Sequence, residues 1–240
     1  MNILKIDNIS KNFGSEKILS NVSFSLKKGE TMSLLGTSGS GKTTLLKIIA
    51  GLETQNSGHI FLNEIEISNT KPQHRKCVYL YQEPLLFPHL NVFENIAFGL
   101  RIRKENKDII NDKVNHFLDL INLKSHAGKT TNQLSGGQKQ RISFARAMII
   151  EPEILLLDEP FGALDSNTRK QMQMLYKDMT NLLETTALFV THDLKEAIIM
   201  GDSIGKIANG KLDLFENKSS FFQDETSGVQ NEINFWKQFN

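Results

Sequence analysis

The chain is poor in cysteine, proline and tryptophan. Its 240 residues include one cysteine, five prolines and one tryptophan. A single cysteine cannot form an intramolecular disulfide, so the sequence is not that of a small secreted domain held together by disulfides. We interpret Cys77 as a small hydrophobic residue that enters a strand. A chain of this length buries enough surface to close a core without such crosslinks.

An excess of charge and a long apolar run are also missing. The 28 Lys and Arg residues balance 27 Asp and Glu residues, for a formal net charge of +1. This balance argues against binding by bulk electrostatics, and we expect no nucleic-acid partner. No apolar run approaches the roughly 18 residues that span a bilayer, and Lys5 and Asp7 interrupt the start where a signal peptide needs apolar residues. We therefore expect the chain to stay where it is made and to reach any membrane by docking onto another protein.

Strand patterns alternate with helix patterns along the chain, which predicts an α/β fold with a mostly parallel sheet. The predicted strands are residues 3–9, 22–26, 31–35, 76–80, 154–158, 186–191 and 203–208, and the predicted helices are residues 42–51, 108–123, 138–150, 166–184 and 194–200. The stretch 84–150 lacks strand patterning and predicts a helical insertion. A polar tail begins at residue 216, and a short terminal helix packed on its own domain is favoured there over a partner-binding surface. The aromatic residues of this tail are Phe221, Phe222, Phe235, Trp236 and Phe239.

A glycine-rich segment, Gly-Thr-Ser-Gly-Ser-Gly-Lys-Thr, lies between the predicted strand 31–35 and the predicted helix 42–51. This is the phosphate-loop pattern, in which glycines let consecutive N–H groups point at phosphate oxygens and the helix start adds its positive dipole end. Lys42 is predicted to reach the β- and γ-phosphates, and the Thr43 hydroxyl to bind Mg²⁺. The predicted phosphate-binding residues are Gly36, Thr37, Ser38, Gly39, Ser40, Gly41, Lys42, Thr43 and Thr44.

A second segment of interest is the apolar run Ile-Leu-Leu-Leu that is followed by Asp158 and Glu159. A buried parallel strand has such a run, and its carboxyl end is where an α/β sheet binds its ligand. Asp158 is then a candidate Mg²⁺ ligand, and Glu159 is a carboxylate placed to orient or deprotonate an attacking water. Alone, this pattern is often only a strand end. Together with the phosphate loop, it indicates a nucleotide site.

The third segment, Leu-Ser-Gly-Gly-Gln at residues 134–138, precedes a predicted helix. A serine hydroxyl, two glycines and backbone N–H groups at a helix start can form an anion site by the same physics as the phosphate loop. Taken alone, the segment is more typical of a helix N-cap with a flexible entry. Its candidate binding residues are Ser135, Gly136, Gly137 and Gln138.

With these three segments together, the sequence resembles the ATP-binding cassette family, the nucleotide-binding subunits of ABC transporters. The resemblance spans about residues 1–215, and the Leu-Ser-Gly-Gly-Gln signature is highly specific. It implies one ABC ATPase domain over residues 1–240, with a phosphate-loop NTPase core at 1–83 and 151–215, a helical subdomain at 84–150 and a tail at 216–240. An antiparallel β subdomain near the N-terminus is also implied. In this family the signature of one subunit closes over the ATP held by the phosphate loop of a second, which implies a head-to-tail pair of copies.

Four further positions match family motifs. Gln82 matches the Q-loop glutamine that touches Mg²⁺ or water, Asp165 matches the D-loop aspartate at the dimer interface, and His192 matches the switch histidine that contacts the γ-phosphate. Alone, these residues would be read as a turn residue, a helix cap and a strand-end residue. Phe13 matches the aromatic residue that stacks on adenine, although tyrosine is usual there and Phe13 could equally belong to the core. Thr37 is a second departure, since many cassettes carry proline at that position.

Two stretches favour an importer. Residues 81–92 are similar to importer cassettes for polyamines, ferric iron, sugars and oxyanions, and residues 159–165 are similar to importers of nitrate and sulfonates. Extraction-type exporters tend to carry threonine where this chain has Phe161. An exporter or extraction ATPase and a nucleotide-switched module without transport are the alternatives.

Apolar residues near Gln82 either receive a coupling helix of the membrane subunit or are buried within the insertion. They are Leu85, Leu86, Phe87, Leu90 and Phe93.

The resemblance implies ATP hydrolysis coupled to transport, with ATP and Mg²⁺ as cofactors. The expected catalytic residues are Lys42, Gln82, Glu159 and His192, and the expected metal ligands are Thr43, Gln82 and Asp158. The implied partners are a second copy of the chain, membrane permease subunits and, indirectly, a solute-binding protein. The implied location is cytoplasmic, on the inner face of the cell membrane. Ferric iron, polyamine, thiamine and small oxyanions all stay open as solutes, because solute specificity resides in the other subunits.

Overall fold

The structure is a computed structural model that describes residues 1–215 and 217–237, without the side chains of Asn231, Phe235 and Trp236. In chain order its strands are β1 (Asn2–Phe13), β2 (Glu16–Lys27), β3 (Thr31–Leu35), β4 (Ser57–Leu62), β5 (Ile65–Glu66), β6 (Cys77–Leu80), β7 (Ile154–Asp158), β8 (Ala187–Thr191), β9 (Ser203–Ala208) and β10 (Lys211–Phe215). Its α-helices are α1 (Lys42–Ala50), α2 (Val92–Ile102), α3 (Lys107–Leu120), α4 (Gly136–Met148), α5 (Ser166–Leu182), α6 (Leu194–Met200), α7 (Lys218–Gln223) and α8 (Val229–Lys237). The described residues form two compact units, one of residues 1–77 together with those that follow residue 185, and the other of residues 78–185.

The first unit contains an antiparallel sheet with the strand order β2-β1-β4-β5. Burial alternates over residues 4–6 and again over residues 9–11 of β1, on either side of an irregularity in its register, as expected for a strand with one face on a core. Ile6 of β1 lies opposite Phe24 of β2 and Ile60 of β4, and all three side chains are buried. Apolar residues of three strands therefore meet on one face of this sheet. The antiparallel β subdomain predicted near the N-terminus is confirmed.

The same unit contains a second set of strands in the order β10-β9-β3-β8. β3 pairs in parallel with both β8 and β9, whereas β10 pairs with β9 in the antiparallel sense. All five residues of β3 and all five of β8 are buried, which is typical of parallel strands covered on both faces. Leu35 lies opposite Thr191, so β3 and β8 end at the same level. The predicted α/β class with a mostly parallel sheet is confirmed.

Arg75 ties the C-terminal end of α1 to the segment that follows β5. It is buried, and burial lowers the pKa of its guanidinium. The guanidinium donates four hydrogen bonds to backbone carbonyl oxygens, those of Ile48 (2.7 Å), Ile49 (3.0 Å), Ser68 (2.7 Å) and Thr70 (2.7 Å). The first two carbonyls belong to the last turn of α1, where carbonyls lack the usual helical N–H partner four residues on. The Ile48 carbonyl also accepts from the Gly51 N–H at 3.1 Å. The side chain therefore acts as the C-terminal cap of the helix that follows the phosphate loop.

In the second unit, β7 neighbours β6, and helices α2, α3 and α4 lie within the stretch predicted to be a helical insertion. A cluster of three buried rings joins α4 to α5. The ring of Phe144 lies 5.9 Å from that of Phe161 and 5.6 Å from that of Tyr176. The helical character predicted for residues 84–150 agrees with these helices, and the division of the chain into core and insertion stays a prediction.

The end of the described chain packs on the first unit through Phe221. This residue of α7 is fully buried and lies edge-on to Phe215 of β10, with ring centroids 4.9 Å apart. The expectation of a terminal helix packed on its own domain is confirmed for Phe221, whereas Phe222 is 36% exposed. The side chains of Phe235 and Trp236, and the whole of Phe239, lie outside the described residues. None of the helices within residues 1–215 and 217–237 combines the length and the apolarity needed to cross a bilayer.

Candidate nucleotide-binding site

The phosphate-loop segment joins β3 to α1, as the sequence predicts. Lys42, the first residue of α1, is 4% exposed. Its ammonium group donates to the carbonyl oxygens of Gly36 and Thr37, each at 2.8 Å, and the Ser40 N–H donates to the Thr37 carbonyl at 3.2 Å. The loop therefore curls around the lysine side chain, with the cation held at its centre.

Two glycines of the loop have no room for a side chain. A β-carbon at Gly36 would lie 2.6 Å from the backbone oxygen of Ile207 in β9. At Gly41, φ is +101°, and a β-carbon would lie 2.9 Å from the backbone oxygen of Ile18 in β2. Both distances are well inside contact, and the positive φ adds a backbone conformation that glycine adopts readily. These glycines are needed to fit the loop between β2 and β9.

The start of α1 has the features of an anion site. Gly41 is the N-cap residue and has no side chain to cap the first-turn N–H groups. No acidic residue lies in the first turn, so the positive end of the helix dipole is not neutralised locally. The Ser40 hydroxyl is buried and has no hydrogen-bond partner among the described residues. Backbone N–H groups, a hydroxyl and Lys42 together match the chemistry of phosphate binding.

His192 lies at the same edge of the strands as the phosphate loop. Because Leu35 and Thr191 are paired in parallel, the next residues, Gly36 and His192, leave their strands side by side. The turn after β8 is well ordered by hydrogen bonds: the Thr191 hydroxyl donates to Glu196 at 2.8 Å and accepts from the Asp193 N–H at 3.0 Å. The His192 side chain is exposed. Its contact with a γ-phosphate stays a prediction.

Phe13 ends β1 at a hairpin, where it lies opposite Glu16, and its side chain is 48% exposed. It is therefore a surface ring and not a core residue. The ammonium of Lys11 lies 4.7 Å from the centre of the ring, on one face. The same ammonium bonds to Glu53 at 2.8 Å and lowers the pKa of that carboxyl group. An ion pair thus supports the ring from one side, and the stacking of adenine on Phe13 stays a prediction.

In the second unit, Asp158 ends β7, and the hydroxyl of Tyr79 in β6 donates to its Oδ2 at 2.6 Å. Burial, and then the hydrogen bond to Asp158, raise the pKa of Tyr79, so the hydroxyl stays protonated as a donor. Glu159 follows with φ of +47°, in the left-handed region. Its carbonyl accepts from the Gly162 N–H at 3.1 Å. The strand end therefore turns sharply at the predicted catalytic carboxylate.

Gln82 lies against the turn that contains Glu159. A β-carbon at Gly162 would lie 2.9 Å from the Gln82 side-chain nitrogen, so the two residues touch. Asp165, in the same loop, caps α5 by accepting from the N–H groups of Asn167 and Thr168, both at 3.1 Å. Bonds from Thr168 lower the pKa of Asp165. The structure therefore shows a helix cap at Asp165, and its role at a dimer interface stays a prediction.

The signature segment forms the start of α4. The Ser135 hydroxyl accepts from the Gln138 N–H at 3.3 Å, and the Gln138 side chain accepts from the Ser135 N–H at 3.0 Å, which is a capping box. The helix begins at Gly136 and ends at Met148, so the predicted range 138–150 was wrong by two residues at each end. Ser135 and Gly136 are exposed, whereas a β-carbon at Gly137 would lie 2.7 Å from the Thr168 methyl group. Binding of ATP to these residues in trans stays a prediction.

Thus the structure places Phe13, the phosphate loop and His192 in the first unit, and Gln82, Asp158, Glu159, Asp165 and the signature in the second. Sequence reasoning missed Tyr79, which donates a hydrogen bond to Asp158, and Arg75, which donates to carbonyl oxygens of α1. It also missed Lys11 beneath the ring of Phe13. The Tyr-Leu-Tyr alternation of residues 79–81 before Gln82 was the available signal for Tyr79, since it marks polar hydroxyls at a strand end. Within the described part of the chain, no cluster of three or more His, Cys, Asp or Glu side chains is arranged to hold a metal ion.

Comparison with known proteins defines the class. A family profile described as ABC transporter matches residues 19–162. The chain belongs to the ABC transporter family, as its motifs predict. The solved structure of cbiO1 from Clostridium perfringens, part of the ABC transporter complex cbiONQ, superposes with a TM-score of 0.86 at 27% identity. That match covers 98% of this chain and 95% of the other.

Two curated relatives are import ATP-binding proteins. The spermidine/putrescine import ATP-binding protein PotA of Bacteroides thetaiotaomicron is 41% identical over 239 residues, covering 97% of this chain and 52% of PotA. The probable sulfate/thiosulfate import ATP-binding protein CysA of Chlorella vulgaris is 45% identical over 212 residues, covering 88% of this chain and 89% of that protein. The chain thus spans about half the length of the PotA relative.

Proposed function

We propose that this chain is the ATP-hydrolysing subunit of an ABC importer and works as a head-to-tail pair of copies. The observation that carries the proposal is the phosphate loop, in which the buried Lys42 is encircled by backbone beside the uncapped start of α1. This arrangement suits the oxygens of a nucleotide triphosphate. The parallel strands β3 and β8 end at the same level, which brings His192 to the edge where the phosphate loop begins and supports the proposal.

In the proposed reaction, the oxygen of a water molecule attacks the γ-phosphorus and the bond to the bridging oxygen of ADP breaks. Glu159 accepts the proton of that water as general base, and Gln82 helps to hold the water. Lys42 and His192 stabilise the charge that develops on the γ-phosphate oxygens. Ser135, Gly137 and Gln138 of the second copy close over the nucleotide, while Asp165 lies at the interface between copies.

The residues expected to hold Mg²⁺ fit that ion in their chemistry. Thr43 offers a hydroxyl oxygen, Gln82 an amide oxygen and Asp158 a carboxylate oxygen, the hard donors that Mg²⁺ prefers. Mg²⁺ sites for nucleotides use few protein ligands and take the rest from phosphates and water. When bound, the ion supplies neutralisation of charge on the β- and γ-phosphates.

Import is favoured over export because the two curated relatives described above, which are 41% and 45% identical to this chain, are both named as import ATP-binding proteins. Those names differ in solute, polyamine in one case and sulfate or thiosulfate in the other, so the similarity supports import without selecting one solute. The proposed partners are membrane permease subunits and, through them, a solute-binding protein. The chain would then lie on the cytoplasmic face of the membrane. Among the apolar residues near Gln82, Leu85 is 55% exposed and is the first candidate for the contact with a permease.

The test is the substitution Glu159→Gln. Without the carboxylate base, phosphate release should fall at least about 100-fold, because general bases contribute that much or more. The variant should keep ATP bound and form a dimer in Mg²⁺-ATP, as measured by size exclusion with light scattering. Glu184→Gln is the matched control, since Glu184 is an exposed glutamate with the same φ of +47°.

Three outcomes are informative. Loss of turnover with ATP-dependent dimerisation in Glu159→Gln alone supports the composite ATPase. Wild-type turnover in Glu159→Gln would refute the role of Glu159. Dimerisation of the wild-type chain in ATP without any phosphate release would favour a nucleotide-switched module instead.

A further inference from the structure

The hydrogen bond between Tyr79 and Asp158 joins residues that are 79 positions apart in the chain. It forms because β6 and β7 are neighbours. Its oxygen–oxygen distance of 2.6 Å is typical of a hydroxyl that donates to an ionised carboxylate. Such charge-assisted bonds are roughly twice as strong as those between neutral groups.

Of the two partners, the tyrosine has the more restricted side chain. Tyr79 is half-buried in β6, and its ring packs against that of Tyr81 with centroids 4.6 Å apart. The carboxylate torsion of an aspartate is broad and roughly twofold by itself. The bond from the tyrosine hydroxyl therefore selects one orientation of the Asp158 carboxylate at the end of β7.

We propose that Tyr79 is a positioning residue that orients the Asp158 carboxylate for the Mg²⁺ that accompanies ATP. The inference rests on the proposed function, because it requires Asp158 to serve the metal. Outer hydrogen bonds of this kind fix the orientation of a metal-binding group, and their removal typically weakens metal binding about 10- to 100-fold. A tyrosine that only packed between strands would affect the thermal midpoint and leave metal binding unchanged.

The experiment measures metal binding without turnover. Mn²⁺, which EPR detects directly, is titrated into the chain with a saturating non-hydrolysable ATP analogue. Tyr79→Phe removes one oxygen, and Tyr81→Phe removes the same atom from the neighbouring, exposed tyrosine as a control. The affinity for the analogue alone is measured in EDTA.

Tyr79→Phe should weaken Mn²⁺ binding about tenfold or more, and Tyr81→Phe should not. In EDTA both variants should bind the analogue as the wild type does. Equal Mn²⁺ affinity in the two variants would overturn the inference and leave the proposed function standing. A wild-type chain that binds no analogue would overturn both.

A second measurement does not depend on the variant folding. The chain has three tyrosines, Tyr79, Tyr81 and Tyr176, so fluorotyrosine labelling yields three ¹⁹F resonances. Saturating Mg²⁺ with the analogue should shift the Tyr79 resonance, while the buried Tyr176 provides a reference. A Tyr79 resonance that stays in place at saturation would contradict the proposal.

Discussion

Replacing Arg75 with methionine should destabilise the first unit more than any ordinary surface substitution. Methionine keeps an apolar stem but removes the four hydrogen bonds that the guanidinium donates to carbonyl oxygens. The Ile48 carbonyl keeps one donor, the Gly51 N–H. Hydrogen bonds to charged groups contribute about 1.5–3 kcal/mol each. The cost of burying the guanidinium is relieved at the same time, which offsets part of the sum. We therefore expect the free energy of unfolding to fall by about 4 kcal/mol, which is at the upper end of the range for single substitutions.

The assay is urea denaturation followed by circular dichroism, with hydrogen exchange of the α1 amides as a local measurement. A lower urea midpoint with an unchanged dependence of the unfolding free energy on urea concentration would indicate a loss of stability without a change in the surface exposed on unfolding. Exchange should accelerate most in the last turn of α1, where Ile48 and Ile49 lose their bonds to Arg75. Arg75→Lys should lie between the wild type and the methionine variant, because one ammonium cannot replace a planar fork of donors.

Arg103→Met is the matched control. Arg103 also donates to a backbone carbonyl, that of Ile150 at 2.8 Å, but the bond is exposed to solvent. Its loss should cost less than about 0.5 kcal/mol. If Arg75→Met came within about 1 kcal/mol of this control, the capping role of the buried guanidinium would be wrong.

Three further outcomes are expected. Gly41→Ala should lower the free energy of unfolding, measured by urea denaturation, by about 2 kcal/mol more than Gly39→Ala does. Both glycines have a positive φ, but of the two only Gly41 would place an added β-carbon within 4 Å of other atoms. Equal losses would exclude the steric argument. Phe13→Ala should weaken ATP binding about tenfold in calorimetry, while binding of tripolyphosphate, which lacks a base, is unchanged; equal weakening of both ligands would rule out stacking. Lys11 lowers the pKa of Glu53, so the ion pair stabilises the fold above the ordinary carboxyl pKa and this stabilisation is lost as the pH falls through the lowered value. The thermal midpoint of Glu53→Gln should therefore fall less than that of wild type between about pH 5 and pH 3, and parallel curves would contradict this assignment.

The strands and helices with a clear period were predictable from the sequence. β3, β7 and α6 have the predicted bounds, because a short run rich in apolar residues marks each strand and a helical spacing marks the helix. β4 was missed, since only Ile60 and Leu62 of its six residues are buried and its first half is polar. A strand so short of buried residues is recognised by its partner β1 and not by its own pattern.

The start of α4 was placed too late for a different reason. Its first two residues are glycines, which have poor helix propensity. The capping box of Ser135 and Gln138 outweighs that preference and starts the helix ahead of the glycines. The Ser-x-x-Gln spacing of residues 135–138 is the local signal for this helix start.

Contacts between residues that are distant in the chain could not be predicted from the sequence. The phosphate loop is a local motif, and a single segment carries its whole pattern. The bonds of Tyr79 to Asp158 and of Arg75 to α1 depend on which strands and turns become neighbours. The local sequence can mark Tyr79 as a polar residue near a strand end, but it does not identify the partner of either residue, so these two bonds are found only once the topology is known.

The left-handed backbone at Glu159 has a consequence for selection experiments. A non-glycine residue in this region carries a backbone cost of about 1 kcal/mol or more, and asparagine or glycine carries less. Variants selected only for thermal resistance should therefore accumulate Asn or Gly at position 159 and lose the carboxylate in doing so. Directed evolution of this chain for robustness must include a requirement for turnover, because stability and catalysis favour different residues at this one position.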